Sequence, residues 1–185
     1  MNVVGKSVTL RAVTRSDLPL LHEWGNDPSV WPHLGGWHFP TSPEWGERWF
    51  ERIQTDTLNQ RWAIETEAQG LIGTANLVEI NWKDRNAFHG MMIGDSRNRG
   101  RGLGTDTIMA VMRYAFDELG LHRLDTTIIA SNQPSYRAYV ERCGWREEGR
   151  QRGWYYRGGR RWDRVLVGVT VDDYRELVER TGYWG

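Results

Sequence analysis

"RNRGRGLGT", residues Arg97 to Thr105, puts glycine at 100, 102 and 104 and arginine at 97, 99 and 101. A solvated loop has no use for that alternation. Glycine removes Cβ, so backbone N–H groups can aim at a ligand that comes close. The flanks fix the place of the stretch in the fold. "NAFHGMMIG" (86–94) before it reads as a strand. After it, Ile108, Val111, Met112, Ala115, Phe116 and Leu119 recur at helical spacing, the clearest amphipathic helix in the chain, and Gly120 ends it. A glycine turn that feeds a helix N-terminus offers unpaired N–H groups and the positive end of a dipole, an anion site best matched to phosphate. The arginines add charge around it.

Two familiar phosphate loops fit poorly. A P-loop needs Gly-Lys-Ser/Thr, and the stretch has no lysine. A dinucleotide fingerprint needs G-x-G-x-x-G and an acidic residue closing a second strand; the spacing here is G-x-G-x-G, and Asp125 lies within its strand. On the loop alone, a tight strand-to-helix corner with solvated arginines is the other reading.

Working outward, "SVTLRAV" (7–13), "QRWAIET" (60–66), "LIGTANLVEI" (71–80) and "HRLDTTIIA" (122–130) read as further strands. "TRSD" (14–17) resembles a capping box before a first helix carrying Leu18, Leu21 and Trp24. Residues 25–40 are broken by Pro and Gly and read as a loop. A second helix starts near Pro43, with Trp45, Trp49, Phe50 and Ile53 on one apolar face. "NQPSYRAYVERCG" (132–144) is a short helix, the tail from 145 is a hairpin turning at Gly158-Gly159, and 171–180 is a terminal helix. The sum is a single α/β (α+β) domain over 1–185.

The 185 residues carry zero formal net charge, so no global field argues for nucleic acid or membrane. No stretch approaches a membrane span, which reads as a soluble cytoplasmic protein. The lone cysteine, Cys143, gives no intrachain disulfide and no Cys-based zinc site, and no metal is expected. Tryptophan is the unusual feature, 11 in all, several of them early. They fit either core packing or an aromatic-walled cleft.

Arg99, Gly102 and Gly104 match the Arg/Gln-x-x-Gly-x-Gly/Ala pattern, and Asn132, Ser135, Tyr139, Gly144 and Trp145 match Asn-x-x-Ala/Ser…Tyr…Gly-Phe at the expected distance. Together, in order, they resemble the GNAT superfamily of N-acetyltransferases. The likeness extends over nearly the whole chain to the branch of ribosomal-protein N-terminal and spermidine acetyltransferases. One departure is a segment from Tyr139 to Gly144 one residue longer than that family's usual. The resemblance implies a strongly twisted mixed sheet of about seven strands, flanked by helices and splayed between the fourth (86–94) and fifth (122–130). It implies acetyl-CoA as cosubstrate. Met92 and Ile93 would pair with pantetheine, while Arg97, Arg99, Gly100, Arg101, Gly102, Leu103, Gly104 and Thr105 surround the pyrophosphate. Asn132 and Ser135 would complete the cofactor site. Relatives often dimerise, and a homodimer is consistent with the likeness.

Acetyl transfer to a primary amine needs a proton acceptor, polarisation of the thioester carbonyl as it becomes tetrahedral, and a proton donor for the leaving thiolate. The resemblance implies Tyr139 as donor, with Tyr136 a competitor. His89, on the strand before the glycine turn, and Glu79 are the alternative bases, directly or through water. Cys143, at a helix C-terminus, is a packing residue rather than a nucleophile. The acceptor would lie over the first two helices, where Trp31, Trp37, Asp27 and Glu44 offer aromatic faces and carboxylates to a cation. A polyamine, an amine-bearing antibiotic or a protein N-terminus all fit. The rival from another class is a silent module that binds acetyl-CoA or a partner without turnover.

Overall fold

The computed structural model describes residues 1–36 and 39–185. Strands β1 (Val3–Val4), β2 (Thr9–Ala12), β3 (Gln60–Thr66), β4 (Gly70–Asn81), β5 (Asn86–Ile93), β6 (Arg123–Ile129), β7 (Arg146–Arg157) and β8 (Arg160–Thr170) form one sheet in the order β1-β2-β3-β4-β5-β6-β8-β7. The expected count of about seven misses β1, two residues that no alternation could reveal. Neighbours are antiparallel except β5 and β6, which are parallel.

That parallel pair shapes the molecule. β5 and β6 are in register only at Asn86↔Arg123, Ala87↔Leu124 and Phe88↔Asp125. Beyond Phe88 the two strands part, while β5 stays paired with β4 as far as Ile93 and β6 with β8 as far as Ile129. The sheet therefore opens like a V at its centre. The opening faces the start of α3 (Leu103–Arg113) from one side and α4 (Gln133–Tyr136) from the other.

Cross-strand partners share a face, so register sorts the residues. One face carries Trp62, Ala75, Leu77, Leu124, Val165 and Val167, packed with Ile108, Met109 and Met112 of α3 and with Tyr174 and Leu177 of α5 (Val171–Thr181). This is the main core. The opposite face carries Ala63, Thr74, Asn76, Phe88, Gly90 and Arg164. Here α1 (Leu18–Asn26) docks, with Trp24 buried against the end of β5. A Cβ on Gly94 would lie 1.9 Å from the Trp24 indole, so only glycine permits this approach.

Asp106, in the first turn of α3, ties both chain ends to the core. Its carboxylate accepts from the N–H groups of Lys6, Ser7 and Val8 at 2.9, 2.7 and 3.0 Å and from the Tyr183 hydroxyl at 2.8 Å. The N-terminus of α1 is fixed in the expected way, with the Asp17 carboxylate accepting from the Thr14 N–H at 2.8 Å. The α2 helix (Pro43–Gln54) departs from expectation. None of its residues is buried, and Trp45 is 45% exposed, because α2 leans on α1 instead of on the sheet.

The extra residue between Tyr139 and Gly144 also has a structural account. After α4 the chain continues as a π-helical segment, Arg137–Arg142, closed by bonds from Cys143 N–H to Ala138 C=O and from Trp145 N–H to Tyr139 C=O. The wider turn absorbs the added residue without rotating Tyr139 out of the core.

Candidate active site

A cavity of about 920 Å³ runs through the opening between β5 and β6. Residues of both sheet faces line it, because where the strands part no backbone ladder separates them. At one end stands the glycine turn. Gly100 and Gly102 have φ of +73° and +83°, and a Cβ at either would meet nothing within 4 Å. Gly102 is the N-cap of α3, so the helix N–H groups open onto the cavity. Gly104, Thr105 and Arg99 line the same end. Asn132 and Ser135 stand across the gap, where Asn132 Oδ1 accepts from the Ser135 N–H at 3.2 Å and caps α4. The donor set, open glycine space and a guanidinium fit a pyrophosphate.

Of the residues expected to bind the cofactor, Met92, Ile93, Arg99, Gly100, Gly102, Gly104, Thr105, Asn132 and Ser135 line the cavity. Arg97, Arg101 and Leu103 are outside the lining. Arg97 turns back onto Asp95, with Nη2 at 2.6 Å from its carboxylate.

Tyr139 lines the cavity from the core and is otherwise buried. Burial pushes its hydroxyl well above the ordinary tyrosine range. The phenol stays protonated at neutral pH and can donate. Tyr136 points elsewhere, donating to Glu147 Oε2 at 3.0 Å. Cys143 is buried, its S–H directed to the Thr105 carbonyl, and burial pushes its thiol up to about 12.

His89 is not brought to the cavity. Its register partner is Leu77, on the core face, and it packs between the rings of Tyr139 and Trp145 at 5.7 and 6.2 Å. Nδ1 lies 2.8 Å from the Asn76 carbonyl and so carries the proton, while Nε2 is buried without a hydrogen-bond partner. Desolvation lowers its pKa to about 4. Glu79 is exposed on a bulge of β4, at φ +56°, its N–H donated to Asn59, and it too is outside the lining.

The expected acceptor residues fare likewise. Asp27 turns its carboxylate onto the Ser29 N–H at 2.7 Å, and Glu44 sits exposed in the first turn of α2. Neither lines the cavity, and nor does Trp31. Trp37 lies outside the described residues. The loop that carries Trp31 does cross the opening. Val30, His33, Leu34, Gly35 and Gly36 line it, and Asn132 Nδ2 donates to the His33 carbonyl at 3.4 Å. Among the lining residues that the sequence does not single out, two carry chemistry for the site. His33 sits in that loop, its pKa lowered by desolvation and by the Arg99 charge. Arg164 reaches in from β8 beneath Trp154.

Residues 7–146 match the Acetyltransferase (GNAT) domain family. The chain belongs to the GNAT acetyltransferases. Like other members, it transfers an acetyl group to an amine. It is 28% identical over 146 residues to the spermidine N(1)-acetyltransferase of Vibrio cholerae, spanning 79% of this chain and 83% of that one. It is 26% identical over 148 residues to the human alpha/beta-tubulin-N-acetyltransferase 9, spanning 74% of this chain and 72% of the other. The crystal structure of the V. cholerae spermidine N-acetyltransferase with CoA and spermine superposes with a TM-score of 0.83 at 26% identity, covering 91% of this chain and 98% of that one. The twisted eight-stranded mixed sheet is thus the GNAT fold. Among the described residues no helix is long and apolar enough to cross a membrane, and no group of three or more His, Cys, Asp or Glu is placed to hold a metal.

Proposed function

We propose that residues 1–185 act as one acetyl-CoA-dependent N-acetyltransferase domain whose reaction takes place in the cavity between β5 and β6. The observation that carries this reading is that cavity itself, which brings the glycine turn at the α3 N-terminus and the buried tyrosine Tyr139 to the opening between β5 and β6. Bound acetyl-CoA supplies an acetyl group activated as a thioester.

The roles of the chain's own residues follow from their placement. The amides around Gly102 to Thr105 and the Arg99 guanidinium neutralise phosphate charge. The free edge of β5 near Met92 and Ile93 orients the cosubstrate by backbone pairing and turns an N–H towards the carbonyl oxygen. Tyr139 donates a proton to the departing sulfur. Its raised pKa keeps the proton on the phenol until the thiolate needs it. An acceptor amine arrives mostly protonated. His33 also lines the cavity, but its neighbours Arg99 and Asn132 set it at the phosphate end, so that proton is assigned to no lining side chain. His89 packs the ring of Tyr139 from behind.

The test is thiol release from acetyl-CoA with an amine panel, comparing wild type with Tyr139→Phe. The variant should keep KM for acetyl-CoA and lose roughly 10²- to 10⁴-fold in kcat. An unchanged kcat would remove Tyr139 from the chemistry. Cofactor binding without thiol release for any amine would favour a silent binding module instead.

A further inference from the structure

The cavity has an unexpected charge for a site that receives an amine. Among its described lining residues there is no Asp or Glu, while Arg99, Arg137, Arg142 and Arg164 are all present. Three of these arginines have an evident use. Arg99 belongs to the glycine turn, and Arg137 and Arg142 to the helical segment after Asn132, so all three serve the phosphates of the cosubstrate. Arg164 belongs to neither group. It projects from β8 on the face where α1 docks, as its pairing with Ile129 and the core position of its neighbour Val165 require. The guanidinium stacks 4.9 Å from the Trp154 ring, and its Nε is buried with no hydrogen-bond partner among the described residues. No carboxylate forms an ion pair with it there. A buried donor left unpaired is costly, and a planar fork of donors matches a carboxylate.

From this we infer that Arg164 receives a carboxylate of the acceptor, so that the substrate is an amino-carboxylate with an apolar body, such as an α-amino acid, and not a polyamine. The apolar body meets Trp154, whose ring stacks on Arg164, and Tyr155, paired with Trp162 two residues before it, and both line the cavity. A polyamine would bring cations beside Arg164, whose charge no carboxylate among the described lining residues offsets, and like charges repel. The inference rests on the acetyl-transfer reading above and specifies its acceptor.

The experiment pairs amino acids with their decarboxylated amines in the thiol-release assay: phenylalanine with phenethylamine, tryptophan with tryptamine, leucine with isoamylamine, and spermidine alongside. The expected result is that at least one amino acid exceeds its amine about tenfold or more in kcat/KM. Arg164→Gln should abolish that preference by raising the amino-acid KM roughly tenfold to hundredfold, with KM for acetyl-CoA unchanged. Arg164→Lys, which keeps the charge but loses the fork, should fall between. Equal or better turnover of the amines or of spermidine overturns the inference. Calorimetry on CoA-saturated protein separates it from the reading beneath it. N-acetyltryptophan binding in wild type and lost in Arg164→Gln upholds the carboxylate site even if turnover fails. N-acetyltryptamine, which has no carboxylate, should bind both proteins alike; N-acetyltryptophan bound equally by both, or not bound by wild type, sinks it.

Discussion

Gly102 allows the phosphate-cradle argument to be tested against a purely structural one. Its φ of +83° and ψ of −8° lie in the left-handed region, yet a Cβ there would meet nothing within 4 Å. Gly102→Ala therefore has no steric clash to relieve and carries only the backbone cost, roughly 1–2 kcal/mol. For a chain of this size that is a drop in Tm of roughly 2–8 °C. The open space is also where a phosphate must come to reach the α3 N–H groups. A methyl there either blocks the approach or, if the backbone relaxes, rotates an N–H away. Losing one hydrogen bond to a charged group costs about 1.5–3 kcal/mol, or roughly a 10- to 150-fold loss of acetyl-CoA affinity. Gly158→Ala is the matched control. Its φ is also positive, +56°, its Cβ space is also open, and it lies at the hairpin tip between β7 and β8. Calorimetric titration with acetyl-CoA, together with thermal melts, should show similar Tm losses but an affinity loss for Gly102→Ala alone. If both variants bind acetyl-CoA as wild type does, the turn is a tight corner and the cradle argument fails.

Other outcomes follow from buried groups. The unfolded chain takes up a proton on His89 as pH falls through about 6.5, and the folded chain refuses it until about 4, so the stability it contributes is complete above 6.5 and lost as pH falls to 4. At about 1.4 kcal/mol per pH unit the total is about 3 kcal/mol, of which about 2 should be gone by pH 5; urea midpoints at pH 7.5 and 5.0 should reveal it, and His89→Gln should lack it. The acid limb of kcat/KM should be unmoved in His89→Gln, because the imidazole is closed off from the cavity; a shifted limb would return His89 to the mechanism. Asp106→Ala orphans three backbone N–H groups and the Tyr183 hydroxyl, so urea unfolding should show a loss of roughly 3–5 kcal/mol with no specific effect on acetyl-CoA affinity. Gly94→Ala drives a methyl into the Trp24 indole and should cost about 1–3 kcal/mol, less than additively with Trp24→Leu.

What the sequence made legible divides along a physical line. Backbone-level features were readable because local chemistry writes them. Gly100, Gly102 and the Gly158-Gly159 turn impose a φ sign and the apolar spacing from Ile108 a period, and each appears in the structure where expected, save that the helix is α only to Arg113 and π-helical over Tyr114–Glu118. The side-chain roles were harder, because a strand offers two faces and residue type does not say which one meets the ligand. His89 has the right chemistry for a base and lies on the right strand, but register with Leu77 turns it into the core. Arg164 lies among the arginines of the hairpin tail, where nothing local distinguishes it. Only its pairing with Ile129 at the end of β6 puts it at the mouth of the opening. The carboxylates failed for a different reason. Asp27 and Glu44 are near the acceptor region in sequence, but each is satisfied locally, one by the Ser29 N–H and the other at the start of α2. A short acidic side chain beside a turn or helix start finds backbone donors more cheaply than it can reach across a cleft. Among the described residues the cavity wall therefore carries no Asp or Glu, and the Nε of Arg164 is buried in it without a hydrogen-bond partner. The acceptor charge that we infer rests on the register of β8 and on two local caps, and none of these is visible in any single stretch of the chain.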